Sequence, residues 1–356
     1  MTALPADLLS RPAAQSVRLI AQGLLETAAE GARRVDDPKD AEALHDFRVA
    51  LRRLRTTLRA YRAELKDSVR PKLYRRLGDV ADETNRVRDA EVALEWLRPL
   101  KAQLTVRERV GLRWLIEHID SRRTKRMEHD LVEARRAFRG LERKLRKGLG
   151  IYRQSLQPDD AGSDRPFAAV THGIVVAQAQ QLDQVLAAVS APDDAEAHRA
   201  RIAAKRLRYL LEPLAELVPA TAGIVERLRA LQDQLGELHD VLELERAIRA
   251  GVESVAAERA MRLFDVAISD HATPEEVRVA RRRDPKPGLV AVARRLRARR
   301  ASLFAELQGN GLKTAGTWRR ELEAALAPLE ARSPAPIPIP ITRSVSRRRS
   351  RRERPA

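Results

Sequence analysis

From Phe47 to Tyr61 the apolar residues fall at Phe47, Leu51, Leu54, Leu58 and Tyr61. That spacing of three and four is the period of a helix that buries one side. The same period runs through most of the chain. It predicts helices over residues 10–35, 38–66, 69–98 and 105–153, the last broken around Phe138–Gly140. A second set follows over 166–189, 192–218, 223–250, 252–270 and 288–308, with a closing helix over 312–330. The fold class expected is all-α. Composition agrees, since 33% charged residues and only 3% aromatics suit long helices better than sheets.

The breaks in this pattern set the organisation. SLQPDDAGSDRP (Ser155–Pro166) gathers Pro, Gly, Asp and Ser between two helical stretches and reads as a linker. It separates a first helical unit, residues 1–154, from a second, 167–330. Within the second, residues 271–288 (HATPEEVRVARRRDPKPG) read as a charged insertion between helices. Residues 331–356 alternate Pro with Ile and then turn to Arg and Ser, a composition that cannot bury enough apolar area to offset its own ordering. They form a basic tail.

The two units echo each other. HDFRVALRRLRTTL (His45–Leu58) aligns with HRARIAAKRLRYLL (His198–Leu211) at a shift of 153 residues. NRVRDAEV (Asn85–Val92) aligns with GELHDVLE (Gly236–Glu243) at a shift of 151. Both helices of the first pair also follow Pro and Asp residues, in DDPKD and SAPDD, which suit a helix start. The expectation is an internal duplication. Two pseudo-symmetric helical bundles would result.

The polar side of the repeated helix is distinctive. At about 100° per residue, Arg48, Arg52, Arg55 and Arg59 share with His45 a face about 80° wide, set apart from the apolar row. In the second copy His198, Arg201, Lys205 and Arg208 repeat the row, with Leu207, Leu211 and Leu214 on the apolar side. Glu212 stands where Arg59 stood. Arg53 and Arg206 flank the strips. A solvated face laced with salt bridges would interleave acids, and these rows hold none besides Glu212. Either neighbouring helices supply acids or an anionic ligand does.

Whole-chain charge points the same way. Sixty-eight Lys and Arg against 50 Asp and Glu give +18, and the tail's net +7 leaves +11 on the remaining 330 residues. Phosphate-rich polyanions are the partners such an excess favours. Arg122 and Arg126 in SRRTKR, and Arg294 and Arg297 in ARRLRARR, either extend the positive surface or form solvent faces of Arg-rich helices.

Other chemistries find little support. The chain has no cysteine, which excludes disulfides and thiolate metal sites. It has no GxxxxGK[ST] loop, and no carboxylate cluster faces either strip. His118 and His129 could share a helix face, but without a third ligand they read as surface residues. No cofactor or metal is expected. No signal-peptide pattern opens the sequence and no run of about eighteen apolar residues occurs, so the expectation is a soluble cytoplasmic protein with no membrane role.

These residues resemble a known family. HDFRVALRRLR (His45–Arg55), its second copy HRARIAAKRLRYLLE (His198–Glu212) and the NRVRDAEV and LGELHDVL segments are similar to the CHAD domain, the conserved histidine α-helical domain. The resemblance spans most of residues 10–310. It implies two helical bundles whose basic helices line a shared positive surface or pore. It also implies binding of inorganic polyphosphate, association with polyphosphate granules, and a binding module instead of an enzyme. Carried over, the anion-binding positions are His45, Arg48, Arg52 and Arg55, then His198, Arg201, Lys205 and Arg208, with Arg53, Arg59 and Arg206 beside them. CHAD domains are often fused to a CYTH-type triphosphatase. ELERA (Glu243–Ala247) lacks the Lys that such a motif needs and lies in a helix, so that activity is not expected.

The competing reading is a nonspecific nucleic-acid-binding protein acting through its basic surface and tail. Only twelve aromatics occur, and Tyr209 alone follows directly on a strip residue of the second copy, so platforms for stacking bases are scarce. Oligomeric state and preferred polyphosphate length are not written in the sequence.

Overall fold

A computed structural model of the chain describes residues 4–35, 37, 40, 42–150, 165–192, 195–269, 273–275, 284–311 and 315–330. Of these, 85–89, 122–130, 310–311, 315–317 and 330 are described by their backbone alone. The 331–356 tail, most of the 155–166 linker and most of the 271–288 insertion therefore lie outside the described residues.

The regular elements among the described residues are all helical. In order they are α1 (Ala13–Arg34), α2 (Ala43–Ala60), α3 (Pro71–Leu97), α4 (Glu108–Gly150), α5 (Phe167–Ala187), α6 (Ala195–Ala215), α7 (Ala222–Ile268), α8 (Lys286–Glu306) and α9 (Ala315–Glu330). Short 3-10 turns cover Arg98–Gln103 and Pro219–Thr221, and a π turn, Leu307–Gly311, ends α8. The all-α expectation holds.

Two expected interruptions are absent. α4 runs unbroken through Phe138, whose ring is fully buried and packs edge-on against Phe47 of α2 at 5.0 Å. α7 continues through Gly251 for 47 residues. That glycine is a packing residue: a Cβ there would meet the Trp114 ring of α4 at 3.0 Å. The helix starts also differ. α2 begins at Ala43, and Pro192 lies in a turn before α6, not in its first turn, while Pro38 lies outside the described residues.

The apolar rows become the core. Phe47, Leu51, Leu54, Leu58 and Tyr61 are all buried, as are Leu207, Leu211 and Leu214. α1 packs on α2, α3 on α4, α5 on α6 and α6 on α7. The first helix of each unit starts against that of the other. Ala13 donates to the Arg165 carbonyl and Phe167 to that of Arg11, so Pro12 and Pro166, each just ahead of its helix, form an antiparallel bridge. α8 packs on both α7 and α4, where Gly111 and Gly288 let the backbones approach so closely that a Cβ on Gly288 would lie 2.0 Å from the Glu108 carbonyl oxygen. Further contacts between the units join α2 to α6 and α3 to α7. The duplication itself rests on the sequence echo; the structure adds that α2 and α6, the two helices carrying the strips, meet.

Candidate anion-binding site

α2 and α6 each bury an apolar row, and the charged row beside it is carried to the line where the two helices come together. Arg48 and Arg52 of α2 stand in the electrostatic field of Lys205 on α6, which also feels Arg201 one turn back on its own helix. Burial of the Lys205 ammonium, reinforced by Arg201, Arg52 and Arg48 and opposed by Asp240 of α7, pushes its pKa down to about 7. Arg48 is only 6% exposed. The Nε of Arg52 is buried, and no described group accepts its proton.

A second group sits where Arg59 of α2 nears Arg206 of α6, both exposed. Partial burial, then Arg55 and Arg206, push the Arg59 guanidinium below its ordinary range, against the pull of Asp82. About three helical turns of cations are thus shared between two chain segments about 150 residues apart.

Part of the strip is committed to structure. Glu212, at the place where the first copy has Arg59, bridges the units: one oxygen lies 2.8 Å from Arg53 of α2, the other 2.8 Å from Arg208 of its own helix. Arg208 also donates to Gln232 of α7 at 2.9 Å and lies over the Tyr209 ring. Its counterpart Arg55 likewise reaches its following helix, with Asp82 of α3 at 3.4 Å. Gly78 makes room for it, since a Cβ there would sit 3.2 Å from an Arg55 nitrogen. Both equivalents therefore tie a strip helix to the next helix in sequence.

The histidines behave differently from one another. His198 is exposed in the first turn of α6, with its ring centre 5.3 Å from that of His239 on α7. Burial, Arg201, His198 and Lys205 push the His239 pKa down to about 3, and His198 is lowered by partial burial and Arg201. In the absence of ligand both imidazoles are therefore neutral at pH 7. His45 is exposed at the start of α2, and the described contacts do not join it to the cluster.

Sequence reasoning missed the contribution of α7. His239, Asp240, Glu243 and Arg246 border the second strip, with Arg246 paired to Glu243. The echo of GELHDVLE with NRVRDAEV contained the signal, because it placed His239 and Asp240 at a repeated position. The proposed extensions fare less well. Arg122 and Arg126 belong to α4, and their side chains lie outside the described residues. Arg294 and Arg297 are exposed on α8, which packs chiefly on α7 and α4; hydrogen bonds from Thr105, then Arg295 and lastly Arg294, draw down the Glu108 carboxyl. His118 stacks on Trp114 at 4.7 Å, while the His129 side chain lies outside the described residues. Among the described residues no group of three or more His, Cys, Asp or Glu could hold a metal ion.

The family model described as the CHAD domain matches residues 19–249, which include both strips. The chain belongs to the CHAD domain family. Two solved structures share the fold of this CHAD protein. The crystal structure of the CHAD domain from the plant Ricinus communis superposes with a TM-score of 0.55 at 22% identity, over 88% of this chain and 93% of the other. PptA from Streptomyces chartreusis superposes with a TM-score of 0.50 at 15% identity, over 90% of this chain and 99% of that one. No curated protein sequence matches the chain. No helix among the described residues is long and apolar enough to cross a membrane.

Proposed function

We propose that this CHAD protein binds inorganic polyphosphate in the groove of cations between α2 and α6, as a binding module without catalysis. The observation that carries this reading is the meeting of α2 and α6, which brings Arg48, 6% exposed, and Arg52, with its Nε buried, beside the row of Arg201 and Lys205. Folding a protein around like charges is unfavourable unless an anion repays it in the bound state. A linear chain of phosphates offers repeating non-bridging oxygens that guanidinium groups engage in pairs. Arg52, Arg201 and Lys205 form the centre of this site. Arg59 and Arg206 carry it toward one end, and His198 and His239 toward the other. Arg53, Arg55 and Arg208 hold the two helices in place. Association with polyphosphate granules would follow from this affinity.

Nucleic acid is the alternative ligand, and Tyr209 speaks against it within the folded part. That ring is 3% exposed and lies beneath Arg208, so no base can stack on it. The basic tail supplies the remaining route to nucleic acid. Titrating long-chain polyphosphate into the full chain and into an Arg52→Ala/Lys205→Ala variant tests the reading. Each lost charge-assisted contact should weaken binding on the order of tenfold or more. Undiminished affinity in the double variant contradicts it.

A further inference from the structure

Away from the line where α2 meets α6, the helices α3, α7 and α8 leave a cavity of about 360 Å³ between them. Its apolar walls are Val92 and Trp96 of α3, Val241 and Leu244 of α7, and Leu296 of α8, so one helix of the first unit and two of the second enclose it. A mainly apolar hollow of this size at a junction of two units is the usual setting of a small-ligand site. Val241 and Leu244 share one stripe of α7 with Glu237 and Asp240, at spacings of three and four residues. His239, whose ring stands beside that of His198, lies about 150° around the helix from the middle of that stripe. The cavity and the cation groove therefore use different sides of α7, with Asp240 at the edge between them.

Their charges are opposite as well. Among the described residues, Glu95, Glu237 and Asp240 line the cavity with Arg299 as the one guanidinium, and Glu237 holds Arg299 at 2.6 Å. Three carboxylates against one cation, in a chain of net charge +18, make this a locally acidic hollow that suits no phosphate. We infer that the cavity is a second ligand site, separate from the polyphosphate groove, which takes a small organic cation: an ammonium group carried on an aromatic or alkyl body. The body leaves water against the valine and leucine side chains. The ammonium donates charge-assisted hydrogen bonds to Glu95 and Asp240, and Trp96 supplies the ring type that attracts cations best. A neutral molecule of the same shape fits less well, because it takes water from these carboxylates and gives them no donor.

The probe is 2-phenylethylammonium, titrated calorimetrically into the full chain beside 2-phenylethanol and phenylacetate, which keep its ring but carry no charge or a negative one. No polyphosphate is present, so the outcome is independent of the reading of the groove. The positive charge of the whole chain favours phenylacetate, and a preference for the cation can arise only at an acidic site. Expected is binding of the ammonium at least tenfold tighter than of either analogue. Glu95→Gln combined with Asp240→Asn keeps the shape of both side chains and should weaken the ammonium at least tenfold, with the helical circular dichroism unchanged. Ala93→Phe, which sets a ring into the cavity, should block binding. No binding of the ammonium to the unaltered chain, equal binding of all three probes, or undiminished binding in both variants overturns the inference. The three-probe comparison uses the unaltered chain and decides the matter even where a variant fails to fold.

Discussion

Arg53 of α2 and Glu212 of α6 meet at 2.8 Å, and the second oxygen of Glu212 holds Arg208 at the same distance. This one carboxylate fastens the two strip helices together. It also explains why the second row carries an acid where the first has arginine: the place is a clasp between helices.

Replacing Glu212 with Ala leaves Arg208, 9% exposed, without its carboxylate, and frees Arg53, which is a third exposed and so contributes less. Expected is a loss of about 1–3 kcal/mol in urea unfolding. Polyphosphate should recover part of it, since the ligand can replace the missing negative charge.

Phe47 anchors α2 by packing on Phe138, with both rings fully buried. Phe47→Ala should cost about 3–5 kcal/mol by the same measurement. Arg52→Ala, which empties no core space, should change stability little while weakening binding. This contrast separates the two faces of one helix.

The apolar and cationic faces of α2 and α6 were legible from spacing alone, and the strips were recognisable because they occur twice. Their partners were not. Asp82, Gln232 and Asp240 lie on the following helices, and only the packing of α2 on α3 and of α6 on α7 selects them from many acidic and polar residues. Gly251 misled for a related reason: local propensity marks glycine as a breaker, while a neighbouring Trp114 ring makes it a fit for close packing. The state of the histidines was not legible either, because burial and the cations of neighbouring helices, which lower His198 and His239, are set by packing.

Stability of the unliganded protein should rise with pH above neutrality. Lys205 is held near pKa 7 when folded and returns to 10.5 when unfolded, so between these values the unfolded chain binds more protons. The urea midpoint should therefore climb from pH 7 to 9.5, and Lys205→Met should flatten this part of the curve.

Salt should weaken binding steeply through counterion release. A plot of log K against log salt concentration should lose about 0.7–0.9 in slope for each strip cation removed that contacts a phosphate. Arg201→Ala should show this reduction. Arg294→Ala, on the outward side of α8, should not.

The most direct test is competition among polyanions. Long-chain polyphosphate is titrated against DNA and RNA at fixed salt, using the full chain, a chain ending at residue 330, and that shorter chain with Arg48, Arg52, Arg201 and Lys205 all changed to Ala. The expected result is preference for polyphosphate that survives loss of the tail and disappears in the quadruple variant. Equal affinity for all three polyanions, or undiminished polyphosphate binding in the quadruple variant, would contradict a site built between α2 and α6.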